Sequence, residues 1–102
     1  MNIDILKEIT NNDDKVIITG HAAARLRIRG IRYDDIICAV RSGEIIEMYP
    51  DDYPYPSCLV LGASVKGRKL HVVCGSDNEY VWIITAYYPS EDKWLEDFKT
   101  RR

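Results

Sequence analysis

Long apolar segments, paired cysteines and an excess of positive charge are all missing from this chain of 102 residues. The longest apolar runs, such as Val81–Ile84, are far shorter than the roughly 20 residues that a membrane-spanning helix needs. The first residues also lack the apolar core of a signal peptide. We therefore expect a single domain over residues 1–102 that resides in the cytoplasm and has no membrane partner.

The three cysteines, Cys38, Cys58 and Cys74, are an odd number and include no C-x-x-C pair. This spacing argues against a zinc ribbon or a redox dithiol. Each cysteine lies among apolar neighbours, which predicts buried free thiols, with a nucleophilic role as the alternative. Asp51 and Asp52 have no second cluster of ligands beside them, so we predict neither a metal site nor a cofactor.

The charged residues are nearly balanced, with 14 Lys and Arg against 16 Asp and Glu and a net charge of −2. This balance argues against a protein that coats nucleic acid non-specifically. Five arginines nevertheless fall between residues 25 and 41. A local basic patch on an acidic molecule is typical of a small enzyme that contacts a few phosphates.

The spacing of apolar residues predicts helices over residues 3–10, between Thr19 and Gly30, and over about 33–42, with Thr19 and Asp34 as N-caps. Residues 15–18 form a short extended stretch. Alternation then predicts strands over 44–49, 58–65, 69–74 and 79–88, and a short helix over 91–99. Because the links between the strands are short, we expect an α+β fold in which N-terminal helices pack on a four-stranded antiparallel sheet.

The segment T-G-H-A-A-A-R-L-R-I-R-G between Thr19 and Gly30 is the strongest candidate for chemistry. On a helix, Arg25 and Arg29 lie about 40° and 80° around the axis from His21, so the three side chains form one stripe. Apolar residues flank the stripe, with Ala24 and Ile28 on one side and Ala22 and Leu26 on the other. The pattern predicts a packed helix whose polar stripe opens into an anion-binding groove.

Strand alternation places His71 on the same side of the sheet as Thr85 and Tyr87, provided that the register does not shift by one residue. If the helix packs near that side, His21, Arg25, His71 and Tyr87 become catalytic candidates. The candidates for substrate binding are Arg29, Arg32, Thr85, Tyr53 and Tyr55.

This set of residue types can cleave RNA without a metal. Two histidines can share the acid and base steps, and arginines bind phosphate. The loop Y-P-D-D-Y-P-Y-P-S contributes Tyr53 and Tyr55. Their rings stack on bases, form a lip on which a partner docks, or close a stiff surface loop.

Structural alternatives stay open for each of these residues. His71 can be a hydrogen-bonded structural histidine, Arg25 can pair with a nearby acid, and Thr85 and Tyr87 can be ordinary sheet residues. At the level of function, one alternative is a non-catalytic binding module that recognises a protein or a small anionic ligand through the same groove. Another is a structural protein that self-associates through an exposed strand edge.

Five segments together carry a family resemblance: H-A-x-x-R-x-x-x-R-G-I (21–31), G-E-I-I-E-x-Y-P (43–50), P-Y-P-S-C-L-V-L-G (54–62), L-H-V-V (70–73) and I-I-T-A-Y-x-P (83–89). They resemble the domain-of-unknown-function 4258 family of small, toxin-like bacterial domains. The family is similar in plan to RelE-type and BrnT-type ribonuclease toxins, with two helices followed by a four-stranded antiparallel sheet.

The resemblance implies a toxin of a toxin–antitoxin pair, namely a metal-independent endoribonuclease whose substrate is RNA. It implies an antitoxin partner, which in related pairs carries a C-x-x-C zinc finger. It also carries over His21, Arg25 and Arg29 as the helix motif. His71 corresponds to the third-strand histidine, and Thr85 and Tyr87 to the last-strand pair.

Overall fold

The computed structural model describes all residues from 1 to 102 and has three helices beside one five-stranded sheet. The helices are α1 (Ile3–Ile9), α2 (Gly20–Ile28) and α3 (Tyr33–Ser42). The strands are β1 (Val16–Ile18), β2 (Glu44–Tyr49), β3 (Ser57–Ala63), β4 (Lys69–Ser76) and β5 (Val81–Tyr87). No helix is both long enough and apolar enough to cross a membrane. The α+β class and the three predicted helices are confirmed.

The helix boundaries follow local hydrogen bonds. Thr19 caps α2 by accepting a hydrogen bond from the backbone N–H of Ala22 at 3.3 Å, as predicted. Gly30 follows α2 with a φ of 69°, a conformation that glycine adopts without steric cost. The predicted cap of α3 at Asp34 is wrong. Asp35 instead accepts from the backbone N–H of Arg32, and its second oxygen accepts from another loop.

The sheet has the order β1-β5-β4-β3-β2. The four predicted strands pair in antiparallel fashion, but β1 adds a fifth strand that is parallel to β5. The prediction of a purely antiparallel four-stranded sheet is therefore wrong. Three residues are too few to show alternation, and their pairing partners lie more than sixty positions away along the chain, so local pattern did not reveal this strand.

The helices cover one face of the sheet, here called the core face. Its side chains include Val60, Leu70, Val72, Ile83 and Ala86, which form one cluster with apolar residues of all three helices. Helix α3 lies so close to β3 that a Cβ atom at Gly62 would overlap the Ala39 carbonyl oxygen. The glycine therefore sets the distance between helix and sheet.

The opposite face, here called the outer face, carries His71, Thr85 and Tyr87. Residues 90–102, the C-terminal segment, cover the part of it around His71. The predicted helix over residues 91–99 is wrong, because this segment consists of turns with a bridge between Trp94 and Arg101. Asp97 accepts from the backbone N–H groups of Lys99 and Thr100, and such local bonds compete with helix formation. Trp94 is 2% exposed, so the segment is anchored although it is irregular.

Candidate functional site

A hydrogen-bonded pair, His71 and Tyr87, lies at the centre of the outer face. The two residues face each other on β4 and β5, which confirms the predicted side for His71. His71 is fully buried, and its Nε2 lies 2.8 Å from the carbonyl oxygen of Phe98 in the C-terminal segment. Because a carbonyl only accepts, Nε2 carries the proton. Nδ1 of the neutral ring is then the acceptor for the Tyr87 hydroxyl, 3.2 Å away.

The surroundings of His71 favour its neutral form. Burial lowers the pKa of His71, opposed by the bond to Phe98 and by the nearby charge of Glu47. The Trp94 ring packs edge-on against the imidazole with a centroid distance of 4.6 Å. Phe98, which supplies the carbonyl, has a left-handed φ of 56°, an uncommon conformation for a residue with a side chain. His71 is thus held as a neutral imidazole whose free lone pair points at Tyr87.

Tyr87 connects this buried ring to the surface, since its side chain is half-buried. Burial raises the pKa of Tyr87, and the charges of Arg101 and Arg29 act in the opposite direction. The hydroxyl proton therefore stays on Tyr87 at neutral pH and is donated to His71.

Glu47, Tyr49 and Arg101 extend the cluster, although the sequence predicted no site role for them. Glu47 and Tyr49 lie in the segment 43–50 that carries the family resemblance. Arg101 binds Glu47 through Nε and Nη2 at 2.8 and 3.0 Å, and this pair lowers the pKa of Glu47. Tyr49 donates to the same carboxylate, and burial together with this bond raises the pKa of Tyr49 to about 12. Glu47 and Tyr49 are two residues apart on one strand, so their side chains share a face, and this pattern could have indicated that they act together. No sequence pattern indicated a role for Arg101, because a helix was predicted just before it, over residues 91–99.

Of the three residues in the helix stripe, Arg29 is the one that contacts β5. Strand β1 ends at Ile18, opposite Ile83, so the later part of β5 is a free edge. At this edge the Nη1 of Arg29 donates to the Thr85 hydroxyl and to the Ala86 carbonyl, both at 2.9 Å. The predicted meeting of Arg29 with Thr85 is thus present in the structure.

His21 and Arg25 are exposed and take part in none of the hydrogen bonds or ion pairs of the outer-face cluster. Helix α2 packs through Ala22 and Leu26 onto the core face, whereas Ile28 is 86% exposed. The expectation that both apolar edges of the stripe are packed is therefore wrong. The groove expected to hold His21, Arg25 and His71 is not formed either, because His71 lies on the other face of the sheet beneath the C-terminal segment.

The remaining candidates for substrate binding lie in two other places. Arg32 lines a hollow between the helices and the β3–β4 turn, together with Lys66 and Arg68. Tyr53 and Tyr55 lie in the loop before β3, where Tyr55 stacks on Trp82. The structure therefore brings together His71 with Tyr87 and Arg29 with Thr85, but not the whole predicted set.

The cysteines lie away from this cluster. Cys58 and Cys74 are buried on the core face with their sulfurs 3.9 Å apart, and both are free thiols as predicted. The hydrogen bond with Cys58, together with burial, raises the pKa of the Cys74 thiol. Cys38 on α3 is only partly buried. No group of three or more His, Cys, Asp or Glu side chains is arranged to hold a metal ion.

The protein thus belongs to the α+β domains with a mixed sheet, in which helices cover one face and a polar and aromatic cluster lies on the other. Residues 18–88 match the family model described as Domain of unknown function (DUF4258), and the chain belongs to this family. No curated protein and no solved structure gives a significant match. The matched part contains Arg29, His71 and Tyr87, whereas Trp94, Phe98 and Arg101 lie beyond it.

Proposed function

We propose that the protein is the toxin of a toxin–antitoxin pair and acts as a metal-independent endoribonuclease with its reaction centre on the outer face. The observation that carries the proposal is one hydrogen-bonded arrangement along β5. The Tyr87 hydroxyl donates to the buried His71 ring, and Thr85 holds Arg29 beside the same strand. This arrangement supplies a proton acceptor, a surface hydroxyl and a fixed cation, which RNA transesterification requires.

Proton transfer runs through Tyr87 to His71. As the substrate 2′ oxygen attacks phosphorus, its proton moves to the Tyr87 oxygen while the Tyr87 proton moves to Nδ1 of His71. The bond from the 2′ oxygen to phosphorus forms and the bond to the 5′ oxygen breaks. The proton then returns from His71 through Tyr87 to the leaving 5′ oxygen. The products are a 2′,3′-cyclic phosphate and a 5′ hydroxyl, and both side chains regain their starting forms.

Burial supports this role because a lowered pKa keeps His71 unprotonated, and so able to accept a proton, at neutral pH. The charge of Glu47 offsets part of that effect and stabilises the imidazolium once it forms. Phe98 keeps Nε2 protonated, so that Nδ1 is the nitrogen that accepts. His71 accordingly acts through Tyr87, and Tyr87 is the residue that contacts the substrate.

Arg29 supplies the positive charge for the phosphorane. Both of its hydrogen bonds within the protein use Nη1, so the donors on Nη2 and Nε stay available to phosphate oxygens. Arg101 is less suited to this task because Glu47 already occupies its guanidinium on two sides.

His21 and Arg25 bind neighbouring phosphates in this proposal. Eight residues separate His21 from Arg29, which corresponds to about 12 Å along a helix axis. One scissile phosphate does not span that distance, whereas an extended RNA backbone does. The exposed stripe of α2 therefore serves as a track for the substrate rather than as the second half of a histidine pair.

Cleavage of a labelled single-stranded RNA in the presence of a chelator tests the enzymatic proposal. We expect the wild type to produce 2′,3′-cyclic phosphate ends and Arg29→Ala to be at least about a hundredfold slower. Arg27→Ala, on the other side of the same helix, is the matched control and keeps the wild-type rate. If the wild type binds RNA but does not cleave it, the proposed enzymatic activity is wrong and the protein is a binding module.

The toxin assignment, the RelE-type and BrnT-type plan and the antitoxin partner belong to the same proposal. Expression of the wild type alone is expected to stop growth, while Arg29→Ala is tolerated. Co-expression with the product of the neighbouring gene restores growth if that gene encodes the antitoxin. Harmless expression of folded wild type would contradict the toxin assignment.

A further inference from the structure

A second feature of the outer face is a hollow of about 330 Å³ beside the loop that precedes β3. Aromatic and apolar side chains make most of its wall, and one carboxylate lies among them. The lining includes Asp52, Tyr53, Tyr55, Gly75, Trp82 and Ile84. Tyr53 is 95% exposed and Ile84 is 48% exposed, so the hollow gathers apolar surface that a folded protein normally buries.

An irregularity of β5 turns Ile84 toward this hollow. The pairing of β4 with β5 passes from Val73–Thr85 to Cys74–Ile83 and leaves Ile84 without a partner. Such a bulge redirects a side chain, and bulges are frequent next to functional sites. Without it, strand alternation would place Ile84 on the core face with Ile83 on the outer face.

The loop is fixed to the sheet, which makes the hollow a preformed site. Tyr55 stacks on Trp82 with ring centroids 4.7 Å apart and an interplanar angle of 14°. The Ser57 hydroxyl donates to Oδ2 of Asp52, and the backbone N–H of Ser76 donates to the Pro56 carbonyl at 3.2 Å. No hydrogen bond within the protein uses Oδ1 of Asp52, so this oxygen can accept one from a ligand.

Gly75 forms the floor of the hollow. A Cβ atom there would meet the Pro56 carbonyl oxygen at 3.4 Å and Cδ1 of Ile84 at 3.9 Å, which are ordinary contacts. A methyl group is therefore tolerated, whereas a longer side chain would fill the space. Glycine at this position keeps the hollow open.

We propose that this hollow binds one unpaired nucleobase of the RNA substrate and favours a base with an amino group. The inference rests on the proposed function and names a specificity subsite for it. The ring stacks on the loop tyrosines, and Oδ1 of Asp52 accepts a hydrogen bond from the exocyclic amine. Uracil lacks this amine, so cytosine, adenine and guanine bind better than uracil.

Position along β5 favours a nucleobase over a protein side chain. Trp82 lies three residues before Thr85 on the same strand, which corresponds to roughly 10 Å, and Thr85 holds Arg29. A nucleotide whose phosphate contacts Arg29 can therefore extend its neighbouring base toward Trp82. A basic side chain of a partner protein is the competing occupant, because Asp52 would attract it.

Binding of non-cleavable oligonucleotides tests the subsite separately from catalysis. The probes are 2′-O-methyl oligo(C) and oligo(U) of equal length, titrated against the full chain. We expect oligo(C) to bind the wild type about tenfold more tightly than oligo(U), the size of one base-specific contact. Asp52→Ala removes the acceptor and with it this preference, and Tyr53→Ser weakens both probes.

Gly75→Leu fills the hollow and is expected to weaken the binding of both probes and to abolish the preference for oligo(C). If this variant does not fold, Asp52→Ala and Tyr53→Ser decide the question, since both positions are exposed. Loss of binding in Arg29→Ala with no change in the three pocket variants would overturn the subsite and keep the proposed function. Absence of oligonucleotide binding to the wild type would overturn both. If a protein partner binds at Tyr53 and Trp82 and no oligonucleotide does, the hollow is the binding site of that partner and the nucleobase subsite is overturned.

Discussion

The two faces of the sheet are built from the same strands by different means. The core face is apolar, and three helices cover it so closely that Gly62 has no room for a side chain. The outer face carries hydrogen-bonded polar and aromatic groups, and an irregular segment anchored by Trp94 covers part of it. The difference shows that the core face determines the fold, whereas the outer face holds reactive groups in fixed positions.

The largest expected effect lies on the core face. Gly62→Ala introduces a Cβ atom that overlaps the backbone of α3, so we expect a loss of about 3 kcal/mol or more in the free energy of unfolding. Gly20→Ala is the matched control, because no atom lies within 4 Å of its Cβ position. Urea denaturation measures both. An equal effect of the two substitutions would contradict the close approach of α3.

The anchor of the outer face comes next. Trp94→Ala removes a buried ring that packs on His71, and we expect a loss of about 3 kcal/mol. The imidazole signals of His71 in NMR spectra should change because its tautomer is no longer fixed. Leu95→Ala, at a partly exposed neighbour, is expected to alter neither property. Unchanged His71 signals in Trp94→Ala would show that the segment does not hold the ring.

A smaller effect concerns pH. Since burial lowers the pKa of His71, the unfolded chain binds more protons than the folded one below about pH 6.5, the usual histidine value. The stabilisation is complete above that pH and declines as the pH falls toward the folded-state pKa. Urea midpoints measured from pH 7 to pH 5 should decline less in His71→Gln than in wild type. His21→Gln, at an exposed position, is the control, and identical slopes in all three proteins would contradict the burial of His71.

The smallest effects are expected at the ion pairs of the C-terminal segment. Lys99 and Glu44 are both about half exposed, so Lys99→Ala should leave the urea midpoint unchanged. Arg101 binds Glu47 through two nitrogens and also lies over the Trp94 ring. Arg101→Ala should therefore lower the midpoint measurably. The reverse order would show that Arg101 does not help to hold the segment.

Local patterns predicted most of the core face. Helix spacing and the Thr19 cap located α2. On the outer face, strand alternation correctly placed His71 on the same side of the sheet as Tyr87. These features depend on residues that are close in sequence or on one strand register. The parallel strand β1 depends on contacts with distant Val81–Ile83, and three residues carry no periodicity.

The outer face was less predictable because its contacts come from the end of the chain. Residues 91–99, which include Trp94 and Phe98, were predicted to be helical, but the side chain of Asp97 binds the following backbone and a turn forms instead. The stripe of His21, Arg25 and Arg29 does not form a groove with His71, because α2 packs on the core face. Of the three stripe residues, only Arg29, at the end of α2, bonds to the free edge of β5, through Thr85 and Ala86.

The central claim is that the Tyr87 hydroxyl transfers the proton between RNA and His71. The most direct measurement is the rate of RNA cleavage by Tyr87→Phe, which removes one oxygen and keeps the ring. Tyr88→Phe, at the next residue, is the control. The account predicts a rate at least about a hundredfold below wild type for Tyr87→Phe and an unchanged rate for Tyr88→Phe. Cleavage by Tyr87→Phe at the wild-type rate would contradict it.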